Sequence, residues 1–350
     1  MSAPIPPAGV WLLNSGIQEP SGGVARYYRA DLGRNLPVSV EITGYAVSAY
    51  VYLHAVTGDE AFLERALRTA RFLTRVAWDE ASETLPFELD PPEFTYFFDC
   101  GIVVRGLLAA WRATGDAECL ETATAMGRRM GLDFLAGDGS FHPILRLPSK
   151  CPQARDALRW SQDEGCYQLK SAMAWWDLAG ATGESVFGDL YGHALTRALA
   201  NAPDFLPGHK DRQRVMDRLH PFLYFLEGLL PAASDARCAA ALAEGIGRTE
   251  RYLDDLAPEF ARSDVYAQLL RIRLFADWAG AAPLDRGAAE FEACRLAEFQ
   301  APGGGFYFGR RDGAFLPHVN PVSAVFALQA LEMWRSAAAG GPTLDRRMLI

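Results

Sequence analysis

The sequence predicts an all-α protein, a single (α/α)6 toroid over residues 1–350 in which six helical hairpins close into a ring with small β-hairpins in the rim loops. Three observations lead there. One kind of helix recurs: "EITGYAVSAYVYLHAVTGD" from Glu41, "FFDCGIVVRGLLAAWRATGD" from Phe97 and "CYQLKSAMAWWDLAGATGE" from Cys166 share a polar start, an apolar body and a Thr-Gly-acid stop. Three weaker copies begin at His220, Arg262 and Val319. Each is followed by a helix of different character, such as "EAFLERALRTARFLTRV", with Phe62, Ala66, Leu67 and Ala70 on one face and charges elsewhere. A helix apolar all round is buried on both sides, whereas one apolar stripe marks an outer layer. A fixed repeat of helix pairs is the mark of a ring or solenoid.

Thr-Gly-Asp is hairpin punctuation: Gly takes the left-handed position that ends one helix, and Asp caps the next. The last inner helix has only "GGPTLDRRMLI" after it. The segment from Val10 to Leu13 is therefore expected to pack there and close the ring. Connections from outer to inner helices read as long, from about ten residues to more than twenty, beyond ordinary loop length. Three contain Gly-aromatic runs, "EPSGGVARYY", "GDGSFHP" and "APGGGFYFGRRDG", which predict β-hairpins on the rim.

Composition narrows the function. A net charge of -9 and the absence of a basic run argue against a nucleic-acid partner. The opening "MSAPIPPAGVWLLNSG" lacks the basic and apolar regions of a signal peptide, and no run is long enough to span a bilayer, so a cytoplasmic protein without a membrane partner is expected. Six cysteines without CxxC spacing and six scattered histidines predict neither a disulfide framework nor a metal site, and no cofactor is expected. "LDDLAPE" from Leu253 has the look of a diphosphate-magnesium motif but ends an outer helix.

If the inner helices start at the mouth of the ring, their first residues line it: Glu41, Asp99, Gln168 with Lys170, His220, Arg262 with Asp264, and Asn320. Acids and Asn at helix starts also serve as caps, so Glu41, Asp99, Asp264 and Asn320 stand open between capping and catalysis. Asp99, alone between "FTYFF" and "CGIVVRGLL", has the desolvated setting of a general acid. Asp264, between Arg262 and Gln268, has the setting of an ionised base or nucleophile. His220 is either a packed loop histidine or catalytic, and Glu227, two turns deeper, needs a partner. Tyr45, Tyr224 and other aromatics suit the C–H faces of sugar rings.

Thr-Gly-acid inner helices with Gly-Gly-aromatic rim loops resemble the six-hairpin glycosidase-like superfamily, which includes unsaturated glucuronyl hydrolases, N-acylglucosamine 2-epimerases and glucuronyl C5-epimerases. Segments such as "ARSDVYAQLLRIRLF" are similar to bacterial toroids of polysaccharide metabolism. The paired-acid signature of glucuronyl hydrolases is absent, because Cys100 follows Asp99. The resemblance and the residues together imply a carbohydrate-active enzyme, foremost a glycoside hydrolase acting on a polysaccharide-derived oligosaccharide, with anionic, uronic sugars among the expected substrates. Asp99 is the expected general acid, with Glu41 or Asp264 directing water and His220 as a further catalytic candidate. Tyr45, Gln168, Lys170, Tyr224, Arg262, Gln268 and Asn320 are the expected substrate contacts. The alternatives are an epimerase or lyase using His220 or Tyr224, a non-catalytic glycan-binding protein, and, more distantly, a terpenoid cyclase.

Overall fold

The Thr-Gly-acid turns set the architecture. The computed structural model describes residues 4–208 and 211–350. Its helices are, in order, α1 (Pro7–Asn14), α2 (Val40–Thr57), α3 (Glu60–Phe72), α4 (Phe97–Thr114), α5 (Ala117–Asp133), α6 (Gln168–Thr182), α7 (Ser185–Phe205), α8 (Arg212–Leu229), α9 (Ala236–Leu256), α10 (Ser263–Trp278), α11 (Arg286–Ala297) and α12 (Pro321–Ala338). At Thr57, Thr114 and Thr182 the hydroxyl donates to the carbonyl four residues back, at 2.6, 2.8 and 2.9 Å. The same oxygen accepts the N–H of the acid two residues on, at 3.2 Å each time. The intervening Gly58, Gly115 and Gly183 have φ of 71, 73 and 75°. Asp59 and Asp116 then cap α3 and α5. Each letter of the motif thus satisfies one end of a hairpin.

Helices α2, α4, α6, α8, α10 and α12 each pack on the next, and α12 packs on α2, which closes the ring. Helices α3, α5, α7, α9 and α11 lie outside them, and α1 takes the sixth outer place against α12 and α3. The closing segment expected around Val10 to Leu13 is this helix, with Trp11 and Leu12 buried. Some inner contacts are backbone to backbone. A Cβ on Gly106 would lie 2.5 Å from the carbonyl oxygen of Gly44, and one on Gly101 would lie 2.0 Å from Ser171 Oγ and 2.4 Å from its carbonyl oxygen. Gly101→Ala is accordingly expected to destabilise the ring by about 1–3 kcal/mol through overpacking, read as a lowered denaturant midpoint.

Three small antiparallel sheets decorate the end of the ring where inner helices begin. Strands β1 (Tyr28–Arg29) and β2 (Arg34–Asn35) pair with β9 (His318–Val319); β4 (Ile144–Arg146) and β5 (Cys151–Pro152) with β3 (Phe94–Tyr96); β7 (Gly309–Arg311) and β8 (Ala314–Phe315) with β6 (Phe260–Arg262). Strands β3, β6 and β9 run directly into, or one residue short of, α4, α10 and α12, so each hairpin tethers an inner helix by its first turn. The Gly-aromatic runs fold into tight turns closed by the bridges Gln18–Val24, Leu135–Phe141 and Gln300–Phe306 and lead the chain into β1, β4 and β7.

One expectation needs correction. The connections before α8 and α10, 206–211 and 257–262, are short, because α8 begins well before His220. Asp211 caps it, accepting from Arg214 N–H at 3.1 Å, and Pro221 lies inside the helix rather than at its start. At the opposite end, the segment 340–350 folds under the ring. Leu349 and Ile350 are buried there. Gln329 accepts Ile350 N–H at 3.1 Å and donates to Met348 O at 2.7 Å, while Lys170 and Arg271 donate to Ile350 O at 3.0 and 3.3 Å. Glu227 lies between the two cations, 2.9 Å from Lys170 and 2.5 Å from Arg271, all three fully buried. Among the described residues no helix is long and apolar enough to cross a membrane.

Candidate active site

A cavity of about 280 Å³ opens at the mouth of the ring. Inner helices supply Glu41 and Ile42 from α2, Phe98 and Asp99 from α4, His220 and Tyr224 from α8, Asp264 from α10 and Val322 from α12. Rim segments supply Tyr27, Phe87, Tyr96, Pro143, Trp160, Ser161, Tyr167, Arg262, Phe308 and Asn320. Larger clefts exist outside the ring, including one of about 360 Å³ between α7 and α9, but there the arginine heads are spent on backbone carbonyls and on Asp235. The mouth is where unspent polar groups converge.

The choice between cap and catalyst resolves residue by residue. Ser39 caps α2 by accepting from Ile42 N–H at 3.4 Å, which leaves Glu41 free to face the cavity. Asp99 and Asp264 stand in first turns whose N-caps make no side-chain capping bond, and both line the cavity. Asn320 is a cap, its Oδ1 accepting from Val322 N–H at 2.8 Å.

The close passage of α2 against α4 puts Glu41 beside Asp99. Burial pushes Glu41 up to about 7, with Arg26 pulling the other way. Burial and then the Glu41 charge hold Asp99 well above the carboxylate range. Two acids that share a desolvated wall cannot both ionise cheaply, so the pair titrates as a unit and keeps a proton at neutral pH. Asp99 Oδ2 is buried without a hydrogen-bond partner.

The facing wall carries a different pair. Arg262 grips Asp264 through two bonds, Nε to Oδ1 at 3.0 Å and Nη2 to Oδ2 at 2.5 Å, and its guanidinium lies 4.4 Å from the Phe308 ring centroid. His220 is wedged against Trp160 (5.0 Å between centroids) and Tyr224 (5.7 Å), and its Nδ1 has no partner. Burial first, and then the Arg262 charge, hold its pKa well below the usual histidine value, so the ring is neutral at pH 7. Arg262→Gln is expected to raise the His220 pKa, seen as a higher midpoint in a side-chain NMR titration.

The helices that carry these groups are placed by the ring. Helices α2 and α8 are the first and fourth of six, so Glu41 faces His220 across the mouth; α4 and α10 are the second and fifth, so Asp99 faces Asp264. One helical turn deeper lie Tyr45 and Gln268, buried, with the Tyr45 hydroxyl turned toward that of Tyr224 and both Gln268 amide atoms unpartnered. Neither lines the cavity. Gln168 is occupied in accepting Gly165 N–H and donating to Phe141 O, both at 3.3 Å. Lys170, drawn down to about 7 by burial against the pull of Glu227, is sealed in the floor. Of the expected contacts, Tyr224, Arg262 and Asn320 are at the mouth, while Tyr45, Gln168, Lys170 and Gln268 are not. The helix starts said where the mouth was, but a residue two or more positions into a helix points wherever its 100° step takes it. Phe87, Tyr96 and Ser161 came from loops whose folding the sequence did not disclose.

No family model matches the sequence, and a search of curated proteins finds no relative. Solved structures do match. A sugar epimerase from a ruminal bacterium superposes with a TM-score of 0.71 at 13% identity, over 92% of this chain and 95% of that one. Cellobiose 2-epimerase from Spirochaeta thermophila gives 0.67 at 14%, over 91% and 92%. A D-mannose isomerase gives 0.68 at 10%, over 94% and 95%. At these identities the likeness is one of architecture, and the chain shares the (α/α)6 toroid fold of these structures.

Proposed function

We propose that the protein is a carbohydrate-active enzyme whose mouth moves protons on a reducing sugar, as an epimerase. One observation carries the reading: a neutral, desolvated imidazole faces a proton-holding carboxyl pair across a sugar-sized, aromatic-walled cavity. Toroids that superpose on this chain are named as sugar epimerases and an isomerase, which supports it. In the open-chain sugar, His220 takes the proton on the carbon beside the carbonyl. The C–H electron pair becomes the C=C of an enediol as protonated Asp99 hydrogen-bonds and protonates the carbonyl oxygen. Protonated Glu41 then delivers a proton to the opposite face of the same carbon while Asp99 recovers its own. The new C–H has inverted configuration, and the imidazolium and Glu41 carboxylate reset through solvent. Such acid–base assistance is worth about 10²–10⁴ in rate when the groups titrate near the working pH.

Asp99 facing the Arg262-held Asp264 supports a second reading, glycoside hydrolysis. Asp99 would protonate the glycosidic oxygen, Asp264 would direct water to the anomeric carbon, and the C–O electrons would leave with the alcohol. Incubating reducing mono- and disaccharides in H₂¹⁸O separates the two. Epimerisation gives a new stereoisomer of unchanged chain length, whereas hydrolysis gives shorter sugars with ¹⁸O at the new reducing end. If neither product forms from any sugar offered, both readings fail.

A further inference from the structure

The charges at the mouth are not balanced in what they leave free. Arg262 holds Asp264 through Nε and Nη2, so its charge is already paired with a carboxylate. Arg26, the other cation of the rim, is tied to Glu88 at 3.2 Å with its guanidinium 5.0 Å from the Phe87 ring centroid. Lys170 is sealed in the floor, and His220 is held neutral. What is unspent is acidic: Asp99, 6% exposed, lines the cavity with its Oδ2 buried and unpartnered, and Glu41 stands beside it. The surroundings are aromatic, with Phe87 and Tyr96 4.5 Å apart and Phe98 and Tyr224 4.8 Å apart. A uronic acid would bring a third carboxylate to this acid pair, where Arg262 and Arg26 are each already paired with a carboxylate. A carboxyl pair framed by aromatic rings is the setting that binds an ammonium group, through charge-assisted hydrogen bonds and cation–π attraction.

We infer that the wall formed by Glu41 and Asp99 selects a sugar bearing a free amino group, a hexosamine unit, over its neutral parent and over a uronic acid. This rests on the reading that a sugar occupies the mouth and holds whether the reaction there is epimerisation or hydrolysis. The ammonium sits against the Asp99 carboxyl, and the carboxyl pair gives up one of its two protons as the cation arrives. The groups around Glu41 are Asp99 from α4, Arg26 and Tyr27 from the first rim segment, Tyr45 from α2 and Tyr224 from α8, with the neutral His220 across the mouth. Of these, the acid pair is what changes protonation near neutrality.

The test is titration calorimetry of the full chain at pH 6, where the sugar amine is charged and Glu41 is mostly protonated. The gluco, galacto and manno hexosamines are compared with their parent hexoses, their N-acetyl forms and the matching uronic acids. At least one hexosamine is expected to bind about tenfold more tightly than its parent, with its N-acetyl form behaving as the neutral sugar and its uronic acid weaker still. Repeating the titration in buffers of different ionisation enthalpy is expected to show proton release for the amine and none for the neutral sugar. In Asp99→Asn the advantage of the amine shrinks; should that variant not fold, the wild-type proton count decides alone. Hexosamines that bind no more tightly than their parents, or uronic acids that bind more tightly, overturn the inference. Turnover of a neutral sugar would leave the proposed reaction standing in that event.

Discussion

Glu41→Gln is expected to lower turnover of the accepted sugar by about 10²–10⁴ while making the protein more resistant to heat at pH 8. Both effects come from one carboxyl. As the proton donor, Glu41 must be protonated, so kcat/KM of the wild type should hold up to about pH 7 and fall tenfold per unit above it. The amide cannot deliver that proton, so the variant loses both the rate and this basic limb. The stability effect follows from linkage. The folded-state pKa lies above the unfolded value of 4.5, so the protonated group contributes stability that is fully present below pH 4.5 and is lost as pH rises through about 7. Glutamine never ionises, so its Tm should exceed that of the wild type at pH 8 and converge with it near pH 4. Equal Tm values at pH 8 would contradict the assigned burial cost.

Glu227→Gln is expected to destabilise the fold by about 3–5 kcal/mol, because it leaves Lys170 and Arg271 facing each other in a fully buried floor. With the usual unfolding entropy per residue, that is a fall in Tm of roughly 4–7 °C. The network predicts its own partial cure. In the double variant Lys170→Met/Glu227→Gln one of the two buried basic groups left without a carboxylate is gone, and Arg271 keeps Gln329 and Ile350 O as acceptors. The double variant should be more stable than Glu227→Gln alone, a coupling that independent sites would not show. Thermal unfolding of wild type and both variants at pH 7 reads it directly.

Much of the fold was legible because its signals are local. Thr57-Gly58-Asp59 and its two copies each close a hairpin with bonds that span at most four residues, so sequence spacing alone reports them. The six apolar helices and the rim hairpins follow from periodicity for the same reason. The floor was not legible: "RRMLI" carries no motif, and its burial depends on Gln329, Lys170 and Arg271 arriving from three different helices. The site divides in the same way. Glu41, Asp99 and Asp264 were named from position at helix starts, but only packing shows that Ser39 frees Glu41 and that Arg262 claims Asp264. His220 was named on the premise that its helix began there. It lines the mouth although α8 starts at Arg212. Lys170 and Gln268, named as substrate contacts from their places near helix starts, lie deeper in the barrel core, where buried polar groups hold the fold together.

The central claim is that His220 and Glu41 exchange a sugar's carbon-bound proton with solvent across the mouth. The direct measurement is proton NMR of reducing sugars incubated with the enzyme in D₂O. One deuterium at the carbon beside the carbonyl in the epimerised product, absent with Glu41→Gln, is the predicted result. An epimer that keeps its original hydrogen, or sugars changed only by cleavage, would contradict it.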